Sequence, residues 1–148
     1  MYKKIVVPLD GSKRAEKVLP HVEQLAHCFG AKVGLLRVIR PPSMVVHDPS
    51  ALKRFHDNFQ KLHKNAEKYL AAIAGEFGEK GIEAQGWVTT GSVVGEIMDA
   101  AKREDADLIA MCSHGRGGLA RLFYGSVAAG ILHRVDRPLL IIRSRGDS

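Results

Sequence analysis

Five short apolar runs alternate along the chain with longer stretches in which apolar residues recur every three or four positions. Most of these runs have the length and the Val, Ile and Leu content of strands buried on both faces of a parallel sheet. Since helical stretches separate them, the pattern predicts right-handed β-α-β crossovers and therefore a parallel sheet with helices on both faces. The predicted strands are 5–9, 33–39, 82–89, 108–111 and 139–142.

Residues that favour helix ends mark several of the helical stretches. The first stretch, 15–29, is followed by Gly30, which suits the left-handed conformation of a helix C-cap. Pro20 lies inside this stretch and is expected to kink the helix, because proline removes one backbone hydrogen bond. Ser50 is the expected N-cap of the second helix. The apolar stripes place the other helices at about 55–77, 93–104 and 127–134.

The length of the chain predicts one domain, 1–148, with an adequate core. No apolar run approaches the roughly 20 residues that span a bilayer, and the N-terminal run is too short for a signal peptide. Cys28 and Cys112 have no metal-ligand spacing and are expected to be reduced thiols. Together these features predict a cytoplasmic protein with no membrane partner.

The formal net charge of +6 raises the hypothesis of a nucleic-acid partner. However, the basic residues are spread over the predicted helices and the termini, with no run of five and no interleaved aromatic residues. We therefore expect solvated surface charge and no nucleic-acid partner. The same charge would still attract nucleotides or other small anions.

The stretch 108–127 contains a strand, a glycine-rich loop and a helix start, which is the order found in anion sites. Three of the four residues 115–118 are glycine, more than a turn requires, and glycine lets a ligand approach the backbone closely. The N–H groups and the dipole of the following helix favour a phosphate. No Gly-Lys-Ser/Thr follows, so the loop is not a P-loop. A loose G-x-G-x-x-A match comes too late in the chain for a dinucleotide-binding fold.

The phosphate candidates are Gly115, Gly125, Ser126 and the backbone of Val127. Arg116 lies in the loop, where it can pair with phosphate charge. Each candidate has a structural alternative. The glycines can serve only to turn the chain, the serine can cap the helix, and the arginine can be an ordinary solvated surface residue.

This stretch resembles the universal stress protein signature, Gly-x2-Gly-x9-Gly-Ser/Thr. The chain reads Cys112-x2-Gly115-x9-Gly125-Ser126, which matches three of the four positions, and the resemblance extends over 5–142. It implies a flavodoxin-like, Rossmann-like α/β domain with five parallel strands in the order 3-2-1-4-5. It also implies a stress-response regulator that reversibly binds ATP, or AMP or ADP, with Mg2+ on the phosphates.

The resemblance assigns nucleotide contacts to the carboxyl ends of other strands. Asp10 corresponds to an aspartate near the adenine and ribose of bound ATP, although it or Ser12 can instead cap the first helix. Val38 corresponds to a valine whose backbone meets the adenine edge, although a core strand residue needs no function there. Pro8 and Met111 complete the expected contacts at the strand ends.

Cys112 stands where the signature has its first glycine, and its Cβ and sulfur are placed to crowd a nucleotide. If φ is negative there, cysteine fits at little cost, whereas a positive φ would strain it. A helix N-terminus and His114 nearby would lower the pKa of the thiol, which makes a reactive thiol one alternative. We favour the other alternative, that Cys112 only packs.

No residue pattern predicts a metal site or a catalytic centre. The histidines are scattered: His56 and His63 lie seven residues apart on one predicted helix, too far for the i, i+4 spacing that favours a shared metal. Asp105 and Asp107 precede the fourth strand and are expected to be structural. Since no residue argues for turnover of ATP, we do not expect an enzyme, although slow hydrolysis stays open.

Universal stress proteins commonly dimerise through the last strand. Here Leu139–Ile142 is an apolar run at the expected sheet edge, which is a liability if it stays unpaired. Both arguments predict a homodimer. Two other functions stay open. A family member that has lost nucleotide binding would act as a protein-interaction module, as Cys112 favours. An enzyme of the related adenine-nucleotide α-hydrolase kind would share the fold and use ATP chemically, but the lack of a second substrate domain in this sequence argues against it.

Overall fold

The computed structural model describes residues 1–41, 47–113 and 126–143. Within them, five parallel strands form one sheet in the order β3-β2-β1-β4-β5, which confirms the predicted fold class and strand order. The strands are β1 (Lys4–Pro8), β2 (Lys32–Ile39), β3 (Ala84–Thr90), β4 (Leu108–Cys112) and β5 (Leu139–Ile142).

Helices cover both faces of the sheet. A 3-10 helix, Ala15–Val18, and helices α1 (Leu19–Phe29) and α2 (Pro49–Glu79) pack on one face. Helices α3 (Val93–Arg103) and α4 (Ser126–Arg134) pack on the other. In the described part of the chain, no helix is both long and apolar enough to cross a membrane.

Each central strand supplies both cores, because successive side chains of a strand point to opposite faces. In β1, Val7 packs towards α1 and α2, whereas Val6 packs towards α3 and α4. In β4, Ala110 and Ile109 divide in the same way. These four side chains are all fully buried, as the continuous apolar runs predicted.

Pro20 does not kink the first helix, so that prediction was wrong. The helical stretch instead divides into the 3-10 helix and α1, and Pro20 lies in the first turn of α1. A proline is tolerated there because its missing N–H would have no partner within the helix. The prediction for Gly30 is confirmed: it ends α1 with a φ of 66°.

The predicted N-cap of α2 was also wrong. Asp48 caps this helix, and its Oδ1 accepts a hydrogen bond from the N–H of Ser50 at 3.0 Å. Pro49 occupies the first helical turn, where proline is favoured, so the helix begins earlier than its apolar stripe.

Candidate functional site

The strand order reverses between β1 and β4, since β2 and β3 lie on one side of this pair and β5 lies on the other. The register between β1 and β4 pairs Ile5 with Leu108 and Val6 with Ile109. The carboxyl ends of the two strands lie past these pairs. Open α/β sheets bind their ligands beyond the carboxyl ends of the strands at such a reversal.

The structure brings several predicted site residues to this edge. Pro8 ends β1 and is half-buried, and Asp10 follows two residues later. Met111 and Cys112 end β4, and both side chains are buried. Met111 packs towards α3 and α4, so its expected contact with a ligand would involve its backbone.

Asp10 and Ser12 form the turn between β1 and the 3-10 helix. Asp10 Oδ1 accepts a hydrogen bond from the N–H of Ser12 at 2.9 Å, and Ser12 Oγ accepts one from the N–H of Ala15 at 3.1 Å. Gly11 between them has a φ of 87°, which a residue with a side chain rarely adopts. Ser12 therefore satisfies the first N–H of the 3-10 helix, and Asp10 stabilises the turn that precedes it.

The backbone of Val38 faces the site, as its alternation along β2 establishes. Leu36 O accepts a hydrogen bond from the residue that follows β1, at 2.8 Å. Ile39 O accepts one from Gly91, on the opposite side, at 3.0 Å. Val38 is two residues after Leu36, so its N–H and C=O point to the same side of β2 as Leu36 O, towards β1. They lie just past the hydrogen bond between Leu36 O and the N–H of Leu9. The side chain of Val38 is buried, as expected for a residue of a core strand.

The carbonyl of Val38 has a partner from its own chain. Arg37 Nη1 donates a hydrogen bond to Val38 O at 2.7 Å. Because the donor is charged, this bond is stronger than one between neutral groups. No pattern in the sequence predicts this contact.

Cys112 is not strained by its backbone. Among the described residues other than glycine, only Asp105 has a positive φ. A glycine is therefore not required at position 112. The side chain of Cys112 is 7% exposed and joins the core cluster that includes Ala15 and Val18. The backbone at Cys112 therefore gives no reason to expect a lost nucleotide site.

The thiol of Cys112 is not activated. Burial raises its pKa above the ordinary value, although a backbone hydrogen bond with Val18 and the charge of Lys17 act in the opposite direction. The thiol is therefore protonated at neutral pH, whereas a reactive cysteine needs the thiolate. This contradicts the lowered pKa that the sequence suggested and supports simple packing. His114, which was expected to contribute, lies outside the described residues.

A group of four side chains next to the site was missed by sequence analysis. Tyr69 Oη donates a hydrogen bond to Glu16 Oε2 at 2.8 Å. Burial and then this bond raise the pKa of Tyr69; the negative charge of Asp10 adds to the rise, and Arg37 opposes it. Glu16, Asp10 and Arg37 thus lie near enough to Tyr69 for their charges to act on its hydroxyl, and we call these four residues the carboxyl-edge cluster. They come from four separate segments, so no local pattern could have grouped them.

The start of α4 supplies the described part of the predicted phosphate site. Ser126 is the first residue of α4 and is exposed, whereas Val127 packs partly against the core beneath α3 and α4. As a crossover helix, α4 runs antiparallel to the strands, so its N-terminus lies at their carboxyl edge. Gly115, Arg116 and Gly125 lie outside the described residues.

The predictions on the remaining polar residues can be compared with the structure. Asp107 accepts hydrogen bonds from the backbone N–H groups of Lys3 at 2.8 Å and Lys4 at 3.2 Å, which confirms its structural role. His63 Nδ1 lies 3.3 Å from Glu67 Oε1 on α2. Over the described ranges, no three His, Cys, Asp or Glu side chains form a group that could hold a metal ion.

This topology, in which the strand order reverses between β1 and β4 and crossover helices cover both faces of the sheet, defines a flavodoxin-like α/β protein. A model of the universal stress protein family matches residues 1–143. The chain therefore belongs to the universal stress protein family.

Relatives of full length support this assignment. Universal stress protein MJ0577 of Methanocaldococcus jannaschii is 28% identical, and the alignment covers 98% of this chain and 97% of the relative. The solved structure of MJ0577 superposes with a TM-score of 0.86 at 30% identity, covering 100% of this chain and 99% of the other. Universal stress protein YxiE of Bacillus subtilis is 27% identical over 97% of this chain and all of the relative.

Two solved universal stress proteins contain adenine nucleotides. One, in complex with cAMP, has a TM-score of 0.64 at 20% identity and covers 97% of this chain and 98% of its own. The other, from Archaeoglobus fulgidus in complex with dAMP, has a TM-score of 0.65 at 22% identity and covers 95% and 98%. At these identities they share the fold of this chain, and the ligands are properties of those two proteins.

Proposed function

We propose that the protein reversibly binds adenine nucleotides, ATP above all, at the carboxyl edge between β1 and β4, and acts as a homodimeric stress-response regulator. The observation that carries the proposal is the direction of the Val38 backbone. Its N–H and C=O point into the strand reversal, where the ends of β1 and β4 and the start of α4 also lie.

The edge of an adenine ring complements this backbone. Adenine presents an acceptor nitrogen beside an exocyclic amino donor, which match an N–H and a C=O of one strand residue. In this arrangement Asp10 faces the ribose, and Pro8, Met111 and Cys112 line the strand ends. The cAMP and dAMP complexes of two relatives support the ligand class.

The phosphates are assigned to the start of α4, where the N–H groups and the helix dipole favour negative charge. Ser126 and the backbone of Val127 would contact them, together with Gly115, Arg116 and Gly125. We assign the Mg2+ ion that accompanies ATP to the phosphate oxygens, with water molecules completing its coordination.

Calorimetric titration of the nucleotide-stripped protein with MgATP tests this proposal. Ser126→Ala is expected to weaken binding about 3- to 10-fold, since it removes one hydroxyl group at the phosphates. The matched control is Ser92→Ala, because Ser92 is the N-cap of α3 at the same edge and makes no side-chain capping bond. Its affinity should equal that of the wild type. If the folded protein released no heat at millimolar ATP, the proposal would be wrong, and a protein-interaction module would be the better reading.

A further inference from the structure

The contact between Arg37 and Val38 lies where the proposed function requires a purine base. Val38 O is the acceptor that the 6-amino group of adenine would need, and it already accepts a charged hydrogen bond from Arg37 Nη1 at 2.7 Å. Arg37 is half-buried at the end of β2. In the proposed complex, its guanidinium would therefore lie beside the adenine base.

Arg37 also lies near the carboxyl-edge cluster. Its positive charge lowers the pKa of Tyr69, whereas the negative charges of Glu16 and Asp10 raise it, so these charges all lie near the Tyr69 hydroxyl. The guanidinium itself is positioned by its hydrogen bond to Val38 O.

We propose that Arg37 determines which purines the site accepts by controlling the group that can sit opposite position 6 of the base. A carbonyl oxygen has two lone pairs, so Val38 O can still accept a second bond. However, the guanidinium beside it repels the positive hydrogens of an amino group and attracts a carbonyl oxygen. The inference rests on the proposed function and deepens it, because it predicts that this chain favours adenine over a 6-oxopurine less strongly than a site without Arg37 would.

ATP and inosine 5′-triphosphate (ITP) form the pair of probes, because they share the ribose and the triphosphate and differ at one edge of the base. The dissociation constants of both are measured by titration calorimetry for the wild type, Arg37→Met and Arg37→Gln. Methionine keeps much of the aliphatic volume of arginine, and glutamine keeps a neutral polar end. Thermal unfolding shows whether each variant is folded, and either variant alone is sufficient for the test.

The control is Arg54→Met, an exposed position on α2 that removes the same charge from the protein. Loss of any positive charge weakens triphosphate binding through long-range electrostatics, but this affects ATP and ITP equally. The ratio of the ITP dissociation constant to the ATP dissociation constant therefore isolates the effect at the base. We expect this ratio to rise about 3- to 10-fold in the Arg37 variants, the size of one hydrogen bond, and to stay unchanged in Arg54→Met.

The possible results separate the two proposals. Binding of both nucleotides with a ratio that Arg37→Met and Arg37→Gln leave unchanged would overturn the role of Arg37 and leave the proposed function standing. An equal rise of the ratio in Arg54→Met would also overturn it, because the effect would then be one of general charge. No binding of either nucleotide by the folded wild type and variants would overturn both.

Discussion

Among single residues, Cys112 shows that the signature glycine can be replaced at little structural cost. Cys112 adopts an ordinary backbone conformation, and its side chain fills space in the core beneath the 3-10 helix and α1. The thiol is buried and has a raised pKa, so it behaves as a small apolar group. The role of this residue is therefore in packing.

Restoring the signature glycine is expected to reduce stability and not to improve binding. Cys112→Ala should lower the free energy of unfolding by about 1–2 kcal/mol through the lost contacts, and Cys112→Gly by about 1 kcal/mol more through backbone entropy. Urea unfolding measures both. Cys28→Ala, at an exposed position on α1, should change it by less than about 0.5 kcal/mol. If Cys112→Gly tightened ATP binding more than about 3-fold, the side chain would be crowding the nucleotide after all, against this expectation.

The hydrogen bond between Tyr69 and Glu16 leads to a second prediction, which concerns the pH dependence of stability. Tyr69→Phe should cost about 1 kcal/mol near neutral pH, the usual net value of one hydrogen bond. Because the pKa of Tyr69 is raised in the folded protein, its stabilising contribution is present below the unfolded value of 10.0 and is lost as the pH rises towards the folded value. The stability difference between wild type and Tyr69→Phe should therefore shrink above about pH 10. A difference that stayed constant up to pH 11.5 in chemical unfolding experiments would contradict the raised pKa.

At the element scale, α2 is longer than the surface that it covers. Its 31 residues span about 46 Å, whereas the seven residues of β3 span about 23 Å. The buried side chains of α2 are accordingly confined to its second half, namely Ala66, Leu70, Ile73 and Phe77. The apolar stripe predicted from Phe55 onwards is helical, but its first turns extend beyond the part of the helix that is buried against the sheet.

The edge strand β5 makes a testable prediction about the proposed homodimer. Pro138 O and Ile142 O both accept hydrogen bonds from the β4 side, so the N–H of Ile141 points away from the sheet. Ile141→Pro should therefore remove a bond to a partner strand while sparing the bonds to β4. We expect the dimer dissociation constant to rise at least about 10-fold in sedimentation equilibrium.

The matched control for this prediction is Ile141→Ala, which loses the side chain but keeps the N–H. It should dimerise more strongly than Ile141→Pro. If the proline variant dimerised as well as the wild type, β5 would not be the interface.

At the scale of the whole molecule, the site is a product of topology. Asp10, Val38 and Met111 are far apart in sequence, but each lies at the carboxyl end of a strand in one parallel sheet. Parallel strands place all these ends at one edge, and the crossover helices begin there. Residues that are far apart in the chain therefore lie at the same edge of the sheet.

Sequence patterns were sufficient to predict the strands, the C-cap at Gly30 and the α/β class, and the family signature predicted the strand order. These properties depend on local sequence. A strand buried on both faces needs a continuous apolar run, and a left-handed helix end favours glycine. The predictions for Pro20 and for the N-cap of α2 were wrong, because in each case the helix begins a few residues from the predicted start.

The side-chain contacts at the candidate site follow from the three-dimensional packing. Glu16 and Tyr69 are 53 residues apart, and their hydrogen bond depends on how α2 packs beside the 3-10 helix. Arg37 and Val38 are neighbours in sequence, yet the sheet register alone sets the direction of the Val38 carbonyl that Arg37 contacts. The pKa of Cys112 likewise depends on burial by distant residues. Charge interactions and hydrogen bonds depend on distances in space, so they follow from the fold and cannot be predicted from adjacent residues in the sequence.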